Sequence, residues 1–94
     1  KSEPNDSDGW TLLAFTYRKL EKYQASEESY VKALNIDPEN KSALEYQGEL
    51  FVETNRLDQA KINVGRLQKL CPESCPELEK LESYITNSSS KSNI

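Results

Sequence analysis

The chain has 94 residues, a net charge of −4 and no histidine. An acidic chain without a basic stripe is not built for nucleic acid, no apolar run approaches the roughly 20 residues of a membrane-spanning helix, and the commonest general base and metal ligand is missing. Charged residues make up 30% of the chain and the mean hydropathy is −0.83, a balance that suits a stack of helices in which each unit buries itself only against its neighbours.

The chain opens Lys1-Ser2-Glu3-Pro4 without a starting methionine, which points to a cut or processed form with any export signal lost upstream. Pro4, Pro38 and Pro72 fall 34 residues apart, and two residues after each stands a helix-capping side chain, Asp6, Asn40 or Ser74. Asp6 opens a first helix over residues 7–20, where Trp10, Leu13, Ala14 and Tyr17 follow i, i+3, i+4 and i+7 and so share one face. Glu21-Lys22 is a short helix–helix turn, and a second helix over 23–34 turns Ser26, Tyr30 and Ala33 inward. Asn40 opens a third helix over 41–54, with Leu44, Gln47, Gly48 and Phe51 one period after the first set. Asn55-Arg56 turns into a fourth helix over 57–70, with Ala60, Val64 and Leu67 inward. Ser74 opens a fifth over 75–85, with Leu78, Leu81 and Ile85 in the same frame. The Ser-rich tail over 87–94 has nothing to bury and is expected to be disordered.

The division is therefore two units, 7–40 and 41–74, a capping helix over 75–86, and a leading segment 1–6 that ends a linker or a preceding repeat. Trp10, Tyr17, Tyr30, Phe51 and Leu67 are the expected core. Two departures from the period carry meaning. Gln47 stands where Leu13 and Leu81 stand, so it bonds a neighbour or packs loosely. Glu82 stands where Ala14 and Gly48 stand, which suits a helix whose outer face meets solvent.

Trp10-x-x-Leu13-Ala14-x-x-Tyr17, then Tyr30-x-x-Ala33-Leu34, then Pro38 resembles the tetratricopeptide-repeat signature. The resemblance implies an all-α superhelix of two repeats and a closing helix, and a scaffold that binds a protein or peptide partner without catalysis or cofactor. It places the partner on the face lined by the first helix of each repeat. That assigns Thr11, Phe15, Arg18 and Lys19 in the first repeat and Glu45, Glu49, Val52 and Glu53 in the second. Phe15 lies off the Trp10/Leu13/Ala14/Tyr17 stripe and is either a binding anchor or packed on the next repeat. Glu45, Glu49 and Glu53 form one acidic line, which favours a basic partner segment if it is more than a solvated face. The Lys/Asn clamp by which some members hold chaperone C-termini is absent, since Thr11, Phe15 and Tyr46 occupy those places. Self-association through the stack is a further option.

Cys71-Pro72-Glu73-Ser74-Cys75-Pro76 allows three readings. The cysteines flank a tight turn, which suits a disulfide, and closing so short a loop stabilises by roughly 2 kcal/mol. Two reduced thiols are the second. The third is a redox or copper- or zinc-carrying pair, similar to the motif of copper metallochaperones, but two thiolates fill only half a tetrahedral site. The segment from Leu67 to Ile85 also resembles the C-termini of small exported bacterial tetratricopeptide-repeat proteins, which implies a bridged pair and a periplasmic or otherwise exported protein, with the cytoplasm as the alternative.

Overall fold

The computed structural model describes residues 6–92. Every regular element among them is a helix: α1 (Ser7–Lys19), α2 (Tyr23–Ile36), α3 (Lys41–Glu53), α4 (Leu57–Leu70) and α5 (Pro76–Ser92).

Two of the three expected caps form. The Asp6 carboxylate accepts from Gly9 N at 2.9 Å, and the Asn40 side chain accepts from Ala43 N at 3.1 Å, each satisfying a helix-end donor. The turns that end α1 and α3 are one turn made twice. Glu21 and Asn55 adopt left-handed φ values of 62° and 64°. Around them Lys22 N donates to Tyr17 O and Glu21 N to Arg18 O, just as Arg56 N donates to Phe51 O and Asn55 N to Val52 O. This paired closure satisfies the last carbonyls of each helix and reverses the chain, so that α2 folds back on α1 and α4 on α3.

The third cap does not form. Ser74 adopts φ 88°, and α5 begins at Pro76, one residue later than the spacing predicts. Proline suits a first helical position, where its missing N–H has no intrahelical partner to lose, and Cys75 O accepts from Glu79 N. From here α5 is one residue out of phase. Counted from the helix start, Leu78, Leu81 and Ile85 match Ala43, Tyr46 and Leu50 of α3 rather than Leu44, Gln47 and Phe51.

α5 also outruns its expected end at Ile85 and replaces the expected disordered tail with helix as far as Ser92. No glycine or proline follows Pro76, and extending a helix costs far less than nucleating one. The Tyr84 hydroxyl donates to Glu53, and Asn87 and Ser88 line one depression with Val52 and Glu53, which keeps the first added turn beside α3. Residues 1–5, which hold most of the leading segment, and residues 93–94 lie outside the described residues.

α3 packs on both α1 and α2, and α5 packs on both α3 and α4, so one docking operation occurs twice. Ala14, Tyr30 and Leu50 form one buried cluster; Ala33, Leu34, Ala43, Leu44, Leu67, Leu78 and Leu81 belong to the other. Gly48 makes the second docking feasible: a Cβ there would come within 2.7 Å of the Leu81 methyls. Gln47 does bond a neighbour, accepting from Asn63 Nδ2 at 2.9 Å while Asn63 also donates to Leu44 O. Tyr30, Leu67 and Phe51 are buried as expected. Trp10 and Tyr17 are only half-buried, because α1 is packed by α2 and α3 alone among the described helices. The Trp10 ring is covered instead by Lys32, whose Nζ lies 4.5 Å from its centroid.

Candidate protein-binding face

α3 lies between α1 and α5, and the three helices present matching positions to one face. Counted from each helix start, the fifth residues are Thr11, Glu45 and Lys80, and the ninth are Phe15, Glu49 and Tyr84. The twelfth are Arg18, Val52 and Asn87, and the thirteenth Lys19, Glu53 and Ser88.

Arg18 is the hub. It is only 5% exposed. Its Nη1 lies 3.0 Å from Glu49 Oε1 and donates to Tyr46 O at 3.3 Å, and its Nε lies 3.3 Å from Glu53 Oε1. The guanidinium stands 5.5 Å from the Phe15 centroid and 5.9 Å from that of Tyr84, within cation–π range. Burial alone lowers the Arg18 pKa, but the carboxylates of Glu53 and Glu49 outweigh it and raise it. The buried Tyr30 hydroxyl lies beside this cluster without a well-formed hydrogen bond, and burial raises its pKa.

Residues 7–40 match the family model of the tetratricopeptide repeat. Residues 7–40 are a tetratricopeptide repeat. No curated protein matches it closely enough to count as a relative. Tetratricopeptide repeats generally mediate protein–protein interaction, and the α3–α4 hairpin repeats the turn and packing of the matched hairpin.

The tetratricopeptide-repeat face corrects one expectation from the sequence. Glu45 and Glu49 do not form a solvated acidic line: they are 3% and 7% exposed, because α5 packs over that side of α3 and Arg18 reaches in from α1. Only Glu53 stays at the edge. Desolvation, a hydrogen bond with Glu49 and the charges of Glu49 and Glu77 push the Glu45 carboxyl up to about 8, against the opposing pull of Lys80. Burial and the bond to Glu53 push Tyr84 up to about 12. Thr11 is buried as well, donating to Ser7 O at 2.9 Å beneath the Asn40 amide. Phe15 is half-buried, its ring 5.0 Å from that of Tyr46 and 5.2 Å from Lys19 Nζ, so it packs on the next repeat and still shows an edge. Of the eight residues assigned from the sequence, Phe15, Lys19, Val52 and Glu53 remain reachable, while Thr11, Arg18, Glu45 and Glu49 form the floor.

The contribution of α5 was missed. Tyr84, Asn87 and Lys80 border a depression of about 500 Å³ together with Glu45 and Glu49, and Tyr84 and Asn87 border a second of about 260 Å³ with Val52 and Glu53. Pro76 was the available signal, since a proline at the first helical position shifts the frame by one. A larger hollow of about 800 Å³ runs along α2 past Tyr23, Glu27 and Val31. All its lining residues belong to that one helix, so it has one wall where the depressions on the other face have two, α3 and α5.

Cys71 and Cys75 are paired across the α4–α5 turn, with Cα atoms 6.0 Å apart, inside the range of disulfides. Among the described residues no group of three or more His, Cys, Asp or Glu is placed to hold a metal ion, and no helix is long and apolar enough to cross a membrane.

Proposed function

We propose that this tetratricopeptide-repeat protein is a non-catalytic scaffold that takes a partner peptide or helix across the face shared by α1, α3 and α5. One observation carries the reading: Phe15, Tyr46, Val52 and Tyr84 are half-exposed around a buried Arg18 that touches α1, α3 and α5 groups alike. Aromatic side chains anchored by fixed neighbours are the usual source of binding energy at such surfaces. The burial of Glu45 and Glu49 weighs against charge attraction as the main force, and a basic partner segment meets only Glu53 at the rim. The paired cysteines support an exported location, because disulfides persist in oxidising compartments.

The test is peptide selection against the intact chain, followed by backbone amide shift mapping with the selected peptide. Shifts should gather around Phe15, Val52 and Tyr84. Phe15→Ala should weaken binding about tenfold, or ~1.4 kcal/mol, while Ile62→Glu on the exposed side of α4 should leave it unchanged. Shifts confined to α2 and α4, or equal binding by Phe15→Ala, refute the assignment.

A further inference from the structure

The depression between α3 and α5 has a floor that packing does not explain. Glu45 and Glu49 lie one turn apart on α3, both line it, and they are only 3% and 7% exposed. Glu79, Lys80 and Tyr84 border it from α5. Glu49 has a counter-charge, its Oε1 lying 3.0 Å from Arg18 Nη1. Glu45 has none. Among the described residues no cation stands within ion-pairing distance of it, and its hydrogen bond is to Glu49, another carboxyl.

A carboxyl this deeply buried is ordinarily paired. Glutamine would keep the shape without a charge to desolvate, so the acid costs the fold stability at neutral pH and above. A group of that kind in a cleft marks a functional site. The surrounding charges do not neutralise it. Glu77 and Glu79 of α5 add negative charge, and Lys80 of the same helix opposes them from an exposed position. The one charge that Arg18 brings from α1 is divided between Glu49 and Glu53.

We propose that this depression receives a lysine side chain of the partner, its ammonium seated between Glu45 and Glu49 and its aliphatic stem beside Tyr84. Resting on the binding face shared by α1, α3 and α5, the seat gives that face a chemical class of partner. A basic segment running over the face meets only Glu53 at the rim, whereas one long side chain entering the depression reaches the uncompensated carboxyl beneath. An ammonium suits this floor better than a guanidinium. The planar fork of arginine takes both oxygens of one carboxylate, and here Glu49 Oε1 is engaged by Arg18 while Glu45 is bonded to Glu49. A compact head with three donors serves both carboxyls. Without a partner Glu45 keeps its proton at pH 7, because burial pushes its carboxyl up to about 8. The entering ammonium displaces that proton to solvent and leaves the charge balanced.

The probe is n-butylammonium, the end of a lysine side chain, titrated into the intact chain while backbone amide shifts are followed, with butanol as the neutral control. Saturable shifts should appear at Glu45, Lys80 and Ser83 with butylammonium and not with butanol. Only ionised Glu45 is competent, in roughly one-tenth of molecules at pH 7 and nine-tenths at pH 9, so binding should tighten about tenfold between the two. Glu45→Gln should abolish it while the helices stay intact, and propylguanidinium should bind the parent more weakly. Peptides selected against the intact chain should carry a lysine at one fixed place, and peptides selected against Glu45→Gln should not. Butylammonium that fails to saturate, or that binds Glu45→Gln as well as the parent, overturns the proposal, as does tighter binding of propylguanidinium. So does binding that appears only in Lys80→Gln, because the occupant is then the chain's own Lys80. Selected peptides that shift Phe15 and Val52 but carry no fixed lysine overturn the lysine seat and leave the binding face standing. Butylammonium saturation alongside peptides that shift only α2 and α4 supports the ammonium site and overturns the face.

Discussion

Glu45→Gln tests the buried carboxyl pair directly. Glu45 and Glu49 are four residues apart on α3 and share a hydrogen bond, with Glu77 and Lys80 facing them from α5 and Arg18 from α1 through Glu49. Arg18 supplies one positive charge to this side of α3, and Glu49 already uses it. The second carboxylate is therefore disfavoured, first by desolvation, and its pKa rises to about 8. An acid whose pKa is higher folded than unfolded stabilises the fold while neutral. That contribution is complete below the ordinary carboxyl value near ~4.3 and is lost as pH rises to about 8. At ~1.4 kcal/mol per unit the full shift is worth about 5 kcal/mol, and solvent screening at the edge of the α3–α5 seam, together with relaxation there, brings the expected effect to ~1–3 kcal/mol. Glutamine keeps the shape and a hydrogen bond but never ionises. In urea melts the variant and the parent should agree near pH 4, and the variant should be the more stable by ~1–3 kcal/mol at pH 9. A difference that stays flat between pH 5 and 9, or a variant less stable at pH 9, refutes the buried-pair account.

Arg18→Met should cost ~3–5 kcal/mol at pH 7 by leaving Glu49 buried without its counter-charge, and adding Glu49→Gln should recover most of the loss in thermal melts. Glu21→Gly should raise stability by ~0.5–1 kcal/mol in denaturant melts, because glycine takes the left-handed φ of 62° without the steric penalty of a Cβ. Reduction of the Cys71–Cys75 pair should lower stability by ~2 kcal/mol, and hydrogen exchange should rise first at the start of α5 while the Ala14/Tyr30 cluster stays protected.

The hairpins were legible because their signals are local. Asp6 and Asn40 cap, Glu21-Lys22 and Asn55-Arg56 turn, and the inward residues recur at helical spacing, so a period of 34 suffices to place four helices. The frame of α5 was not legible from the period, because one proline moved the helix start and one residue of shift rotates a helix by about 100°. Leu81 therefore meets Gly48, where the period had placed it facing a following helix. The buried state of Glu45 and Glu49 was hidden for a related reason. Three glutamates at i, i+4 and i+8 read as a wet face, and the arginine that pairs with two of them lies in another repeat, with no local pattern linking it to them.

If the face shared by α1, α3 and α5 binds a partner as proposed, Arg18 has a consequence for that recognition. α1 and α5 are not packing neighbours among the described residues, and repeats in general sense only the repeat beside them. The Arg18 side chain spans that gap: it holds Glu49 and Glu53 of α3, and it approaches Tyr84 of α5, which itself donates to Glu53. The equivalent positions of α3 and α5 are Val52 and Asn87, so packing alone does not demand an arginine there. A buried ion pair is a poor source of net stability compared with apolar filling. What this one does is fix the relative register of three helices whose outer edges carry Phe15, Tyr46, Val52 and Tyr84. A surface already held in one arrangement loses less entropy when a partner orders it. On this reading Arg18→Met combined with Glu49→Gln restores stability while leaving peptide affinity reduced, a separation that a purely structural role for Arg18 does not produce.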